Sequence, residues 1–481
     1  MAATSASGQE EQDFDVIVIG AGPVGENVAD RARRGGLSAV VVEAELVGGE
    51  CSYWACMPSK ALLRPGQALS EVSAVAGARE AVTGSLHVGA VLARRDSFAA
   101  GWDDGGQVRW LEGAGIDLVR GHGRLAGPRR VSVETGSGPV VLTARHAVVV
   151  ATGSAAAIPP VEGLAGIRPW TSREATSASE VPSELLVMGG GVVGCEMATA
   201  WSSLGARVSI VEMADRLLPG HEPFAGEMLA AALQGRGVDV RLGARVESAG
   251  RDRSGRVRLA LGDGTEMHGD ELLVATGRRP RSDDIGLETV GLQPGSWLEV
   301  DDSMRVVGVD GGWLYAAGDV NHRALLTHQG KYQARVCGDV IAARAAGGEE
   351  IHPWSRHAAT ADHLAVPAVV FTDPEVASVG HTESSAKQAG MKVRSVDYEL
   401  GSVAGASLFA DGYEGRARVV VDTTREVIVG ATFVGAGVAE LLHSATVAVV
   451  GEVPLSRLWH AVPSYPTISE VWLRLLEAYG L

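Results

Sequence analysis

The sequence predicts an α/β protein with two nucleotide-binding domains of parallel-sheet type, followed by a separate α+β domain. Three observations predict it. A strand–glycine turn–helix–strand unit occurs twice, a strand ending in Ala-Thr-Gly follows each copy, and the texture of the chain changes after about residue 350.

The first copy is FDVIVIGAGPVGENVADRARRGGLSAVVVEA. DVIVIG reads as a short buried strand, and Gly20, Gly22 and Gly25 form G-x-G-x-x-G before a helical stretch. The first glycine permits a tight turn, the second lets a pyrophosphate approach the backbone, and the third lets helix pack on strand. The phosphates then sit at a helix N-terminus. The strand SAVVVE ends at Glu43, where a carboxylate takes ribose hydroxyls. The second copy, ELLVMGGGVVGCEMATAWSSLGARVSIVE, repeats the pattern with Gly189, Gly191, Gly194 and Glu212. The interval from first glycine to acid is 23 residues in both. VVVATG ends at Ala151–Gly153 and LLVATG at Ala275–Gly277. Two such units imply two dinucleotides. Glu212 favours a free 2′-hydroxyl and so NAD over NADP, although Arg207 and Arg216 lie near and weigh the other way.

Between Lys60 and Val148 the pattern is helical, then passes to short strands such as RVSVE. RVRLALGDGTEMH alternates around Asp263-Gly264, a hairpin signal. Beyond about residue 350, β-branched segments (AVPAVVF, ARVVVD, VIVGATFVG) surround the apolar helical stretch VAELLHSATVAVV, as expected of an α+β domain. A chain of 481 residues is too long for one core.

The net charge is −16, from 42 basic and 58 acidic residues with no basic stripe, which argues against nucleic acid and anionic membrane as partners. No stretch of ~18 apolar residues suggests a membrane span. The opening MAATSASGQEEQDFD is small, polar and acidic; it is expected to be a disordered tail over residues 1–13, without the marks of a signal peptide. Four cysteines make no disulfide framework and point to a reducing, cytoplasmic setting.

Two of those four stand in GGECSYWACMPSK, as Cys51 and Cys56. Zinc needs four ligands and the neighbourhood supplies two. Cys195 and Cys337 read as solitary buried thiols. A redox disulfide is the better reading. Residues five apart in an ideal helix have Cα atoms ~8.6 Å apart, beyond the ~7 Å limit for a disulfide. A Cys51–Cys56 bridge therefore demands a distorted turn, and such a bridge reduces readily. Pro58 suits a chain entering a helix.

Paired glycines, C-x-x-x-x-C and P-S-K, after an N-terminal G-x-G-x-x-G and an acidic strand end, resemble the flavin-dependent pyridine nucleotide–disulfide oxidoreductases. Within that family the sequence is most similar to the dihydrolipoamide dehydrogenases, and less so to glutathione and mercuric reductases. The resemblance runs from Phe14 to the C-terminal helix, and includes both Ala-Thr-Gly turns and YAAGDV at Tyr315–Val320. It implies a Rossmann-like FAD domain split over 14–160 and 281–350, an NAD(P) domain inserted at 161–280, and an interface domain at 351–481 that makes a homodimer. FAD would be held by Gly20, Gly22, Gly25, Glu43, Gly153 and Asp319, and NAD by Gly189, Gly191, Gly194, Glu212 and Gly277. Cys56 would take electrons from the flavin and Cys51 would exchange with substrate. Lys60 and Glu196 match the pair beside the flavin and nicotinamide. No metal is implied. Mercuric reductase is disfavoured, because no cysteine follows Cys337.

One departure matters most. Disulfide-reducing members carry His-Pro-Thr with a Glu five residues after the His, acting across the dimer interface. Here the sequence reads SYPTISE: Pro466, Thr467 and Glu470 match, but Tyr465 holds the His position. A phenol titrates near pH ~10 against ~6.5 for imidazole, so it cannot readily hold and release a proton at neutrality. His460, five residues earlier, and His328 are weaker candidates for that work. Between the cysteines, Tyr53 and Trp54 either pack or shape a flat site for an aromatic acceptor. The expected activity is electron transfer from NAD(P)H through FAD to a disulfide or dithiol substrate. The alternative is reduction of a quinone or other non-disulfide acceptor, and a non-catalytic flavoprotein is the third reading. Tyr465→His is expected to raise turnover with a disulfide substrate by roughly tenfold or more, read by steady-state kinetics; an unchanged rate would count against a proton role at this position.

Overall fold

Alternation of β-branched runs with glycine turns produces two compact units in the computed structural model, which describes residues 10–348 and 350–481. The first unit comprises the described residues up to Cys56, with Ala99–Ala155 and Arg278–Asp362. The second comprises Met57–Phe98, Ala156–Gly277 and His363–Leu481. The second glycine turn thus lies in a segment that interrupts the first unit. The stretch 57–98, expected with the first nucleotide domain, groups with the second unit, as does the C-terminal segment.

The first unit is built on the strand Glu10–Ile19, flanked in parallel by Ala39–Glu43 and Gly138–Val150. Asp117–Arg120 extends one side, and Leu314–Ala316 pairs in parallel with the end of Gly138–Val150. Val16–Val18, Val40, Val41 and Val148–Val150 are fully buried, as continuous β-branched runs should be in a sheet covered on both faces. The antiparallel strands His122–Leu125 and Arg130–Thr135 complete the sheet. The tail expected to be disordered over 1–13 is corrected in part. Glu10–Asp13 already pair with Val140–Thr143, so the backbone is held by the sheet four residues earlier than polarity suggested. Residues 1–9 lie outside the described residues.

In the second unit, Asp239–Arg241, Arg207–Val211, Glu184–Met188 and Glu271–Val274 form a four-stranded parallel sheet in that order. The helix Val192–Ser203 is buried from Gly194 to Trp201, so it is apolar on nearly every side. The hairpin signal holds: Val257–Leu261 and Glu266–Gly269 pair antiparallel, with Gly264 at φ +84° between them. The C-terminal segment forms a five-stranded antiparallel sheet in the order Pro367–Val370, Glu375–Gly380, Val427–Gly435, Arg416–Asp422, Val393–Glu399. Val427–Gly435 is buried at every position. The α/β class with an additional α+β part is therefore as expected. Among the described residues no helix is long and apolar enough to cross a membrane.

Each glycine turn is seated by one close approach. A Cβ on Gly25 would lie 1.9 Å from the Gly20 carbonyl oxygen, and one on Gly194 would lie 2.0 Å from that of Gly189. Gly194→Ala is expected to cost ~1–3 kcal/mol of stability or more, because backbone meets backbone and neither can yield. Gly235, at the end of the helix Pro223–Gly235 with open space around it, is the contrast. Gly235→Ala is expected to leave the thermal midpoint unchanged or raise it. Thermal melts of the two variants beside the parent protein provide the check.

Candidate active site

The two turns are built alike. Gly20 (φ +102°) and Gly189 (φ +110°) adopt a backbone that L side chains rarely take, and a Cβ on either would lie 2.5 Å from the carbonyl oxygen of Ala151 or Ala275 respectively. The middle glycines are open: Gly22 meets only the Gly49 Cα at 3.9 Å, and Gly191 nothing within 4 Å. That is the space a phosphate group needs beside a helix N-terminus. Glu43 accepts the Ala21 and Glu45 amides at 2.7 and 2.8 Å. Glu212 accepts the Gly190 and Ala214 amides at 2.5 and 2.7 Å. Two backbone donors thus fix each carboxylate at the end of its strand. Burial nevertheless pushes the Glu43 carboxyl above the usual range. The donor sets and open glycines fit a dinucleotide at each turn. Gly153 and Gly277 end their strands at φ +73° and +141°. Asp319 is anchored by the Ser154 hydroxyl at 2.5 Å, which in turn accepts from Arg278 Nε at 2.6 Å.

The cysteine segment is not one helix. Gly49–Tyr53 forms a short helix, Trp54 breaks it at φ −137°, and a second helix, Cys56–Ser73, starts at Cys56. This is the distorted turn that the spacing required. Cys51 and Cys56 are both free thiols. The neighbouring Cys56 thiol and burial push the Cys51 thiol well up, while Thr327 and the Lys331 charge act in the opposite direction. Cys56 Sγ lies 3.3 Å from Thr327 Oγ1. Tyr53 is buried, its hydroxyl donating to the Val47 carbonyl at 2.9 Å, with the Trp54 ring edge-on at 5.7 Å. Tyr53 therefore packs beneath the segment and offers no open flat face. Cys195 and Cys337 are fully buried, as expected.

In the second unit, Lys60 Nζ is 2.7 Å from Glu196 Oε2. The other Glu196 oxygen accepts the Phe371 amide at 3.0 Å, and the ammonium lies 5.0 Å from the centre of the Phe371 ring. Glu196 is buried, so this pairing satisfies a carboxylate that would otherwise be costly. Tyr465 is 77% exposed. Glu470, expected to orient a residue at 465, accepts the Gly405 amide at 3.1 Å. His460 is also exposed, in a turn beyond the short helix Leu455–Leu458.

The family model described as "Pyridine nucleotide-disulphide oxidoreductase" matches residues 14–344, and its dimerisation-domain companion matches 366–475. The chain belongs to the pyridine nucleotide-disulphide oxidoreductase family. Dihydrolipoyl dehydrogenase 3 of Pseudomonas aeruginosa is 32% identical over 469 residues, 95% of this chain and 96% of the relative. The dihydrolipoyl dehydrogenase of Thermus scotoductus is 32% identical over 473 residues, 97% of each. Among solved structures, LpdA from Mycobacterium tuberculosis superposes with a TM-score of 0.82 at 25% identity, covering 97% of this chain and all of that one. The Escherichia coli HOCl-induced flavoprotein disulfide reductase RclA, solved as a Cu(II) complex, gives a TM-score of 0.82 at 22% identity, over 97% and 99% of the chains, and shares the fold. This family member is an FAD-dependent NAD(P)H oxidoreductase of the disulfide class.

Several residues of the site escaped sequence reasoning. Thr327 reaches Cys56 from 271 positions away, and no local pattern pointed to it. Ser154 and Arg278 are in the same position relative to Asp319. Glu26 had a local signal: it follows Gly25, on the face that the glycine presses onto the sheet. It is 7% exposed, and its Oε1 has no hydrogen-bond partner among the described residues. Burial pushes its carboxyl up to about 7, with the Glu43 charge adding and Lys331 opposing.

A carboxyl raised in the folded protein keeps a proton that the unfolded chain has already released. Its stabilising contribution is full below the unfolded value of about 4.5 and is lost as pH rises through about 7. Glu26→Gln removes this dependence. The variant is expected to gain stability relative to the parent between about pH 5 and about pH 8, by ~2 kcal/mol in urea unfolding.

Proposed function

We propose that this enzyme passes electrons from NADH to a small or protein-bound dithiol–disulfide couple of the lipoyl type, using Cys51 and Cys56 as the relay. The observation that carries the reading is the cysteine pair itself: two free thiols on either side of a break between helices, with Thr327 hydrogen-bonded to Cys56. The names of the relatives at about a third identity over nearly the full chain support the lipoyl couple.

FAD, held at the first glycine turn with Glu43 and Asp319, supplies when bound the two-electron link between the pyridine nucleotide and the cysteines. The remaining steps belong to side chains. Cys51 loses its proton, and its thiolate attacks one sulfur of the substrate disulfide. The substrate S–S bond breaks and the leaving thiolate takes up a proton. Cys56, deprotonated in turn, displaces the second substrate thiolate from the mixed disulfide, which is likewise protonated. The Cys51–Cys56 disulfide then holds the two electrons fewer that the substrate has gained. Lys60 and Glu196 form an ion pair, and the family resemblance gives such a pair the task of placing positive charge near flavin and nicotinamide. Glu212 disfavours a 2′-phosphate, and its two amide donors hold it at the strand end, which supports NADH over NADPH. The match to a dimerisation domain over 366–475 supports a homodimer. Few cysteines and buried thiols support a cytoplasmic setting.

A second reading, reduction of a quinone, draws on Tyr465, which replaces a proton-handling imidazole with an exposed phenol. Steady-state rates with lipoamide, glutathione disulfide and a benzoquinone, each with NADH and NADPH, separate the two. Cys56→Ser is expected to abolish lipoamide reduction, with a loss of at least ~10³-fold, while retaining bound flavin. Wild-type activity confined to the quinone, and unaffected by that substitution, would transfer the assignment to the second reading.

A further inference from the structure

In the sequence, Arg207 and Arg216 stand near Glu212 as cations able to accept a 2′-phosphate. The structure engages both elsewhere. Arg207 opens the strand Arg207–Val211, and Glu212 follows the far end of that strand, ~16 Å of extended chain away. Arg207 pairs with Glu184. Arg216 donates to the Pro219 carbonyl at 3.1 Å and lies 3.4 Å from the Asp215 carboxylate. A third arginine, Arg245, is exposed and forms an ion pair with no carboxylate among the described residues.

The backbone carries Arg245 to the strand end. The Glu212 amide donates to the Arg241 carbonyl at 2.9 Å, the Ala244 amide to the Glu212 carbonyl at 2.9 Å, and the Gly243 amide to the Ala214 carbonyl at 2.8 Å. These three bonds lay the segment 241–245 along Glu212–Ala214. At the end of that segment, Arg245 Nη2 lies 3.6 Å from the Met213 sulfur. Met213 is 65% exposed, so thioether and guanidinium stand side by side at the surface, next to Glu212.

The covalent structure of a dinucleotide fixes what meets that pair. With its pyrophosphate beside Gly191 and its ribose hydroxyls on Glu212, the adenine springs from the ribose carbon next to the one that bears the 2′-hydroxyl. The base therefore lies just past the carboxylate, where Met213 and Arg245 stand. We propose that Met213 and Arg245 form a shelf for the adenine ring of NAD(H), with the thioether and the planar guanidinium packed on the purine face. Both groups favour aromatic faces. The surroundings of the guanidinium suit a base better than a 2′-phosphate: its neighbours are a thioether and the Glu212 carboxylate, and neither donates a hydrogen bond to an anion. The proposal rests on the assignment of the second glycine turn to NAD(H) made above. Met213 and Arg245 bind the base and take no part in the hydride or thiol chemistry.

The test is isothermal titration calorimetry of the oxidised holoenzyme with ADP-ribose, NAD⁺ and NADP⁺, none of which reduces the flavin. Arg245→Ala is expected to weaken ADP-ribose and NAD⁺ by ~3- to 10-fold, and NADP⁺ by a similar factor. Met213→Ala is expected to weaken all three by ~2- to 5-fold. Reduced nicotinamide mononucleotide lacks the adenosine. The second-order rate at which it bleaches the flavin in stopped flow is expected to match the parent in both variants. An unchanged ADP-ribose affinity in Arg245→Ala overturns the proposal. So does a loss confined to NADP⁺, which makes Arg245 a phosphate ligand. If the parent itself binds neither ADP-ribose nor NAD⁺, the assignment of the second turn fails, and this proposal falls with it.

Discussion

The approach of the third glycine in each turn to the carbonyl of the first sets the geometry on which both nucleotide turns depend. At about 2 Å from a would-be Cβ, the Gly20 and Gly189 carbonyls leave no room for any side chain at Gly25 or Gly194. The helix can then begin directly against the strand end, with its free amides beside the open middle glycine. The same closeness orients the acid that ends the next strand, because Glu43 and Glu212 each bond an amide of their own glycine turn. It also buries whatever follows the third glycine. In the second turn that residue is a thiol, Cys195, which donates to the Gly190 carbonyl. In the first it is a carboxyl, Glu26, with an unsatisfied oxygen.

The proposed cysteine relay depends on a different constraint, the interruption of a helix. Had Gly49–Ser73 run as one helix, Cys51 and Cys56 would stand too far apart to bridge. The chain breaks at Trp54 instead, and the neighbouring aromatics support the break: Tyr53 is buried with its hydroxyl on Val47, and its carbonyl accepts from the Trp102 indole at 3.2 Å. The helix that starts at Thr327 then meets the pair at its N-terminal turn. Thr327 thereby puts a hydroxyl 3.3 Å from the Cys56 sulfur.

In the C-terminal segment, Tyr465 stands where the family resemblance implies a histidine. Tyr465 is exposed, and Glu470, with no imidazole beside it at 465, bonds the backbone of Gly405. Gly405 is itself required to be glycine, since a Cβ there would lie 2.0 Å from the Thr467 carbonyl carbon. The Glu470–Gly405 bond and the Gly405–Thr467 approach thus hold the backbone near position 465.

The sequence by itself determined the strands, the two glycine turns, the acids that end them and the need for a distorted segment between Cys51 and Cys56. Each of these is a short-range pattern, written in residues a few positions apart and governed by backbone sterics and helical or extended periodicity. The pairing of Lys60 with Glu196 became legible only through family resemblance, across 136 positions. Tertiary structure alone decided that Thr327 meets Cys56, that Ser154 and Arg278 brace Asp319, and that Glu10–Asp13 join the sheet. These depend on the order of strands in a sheet and on where two distant helices cross, and no local propensity encodes either.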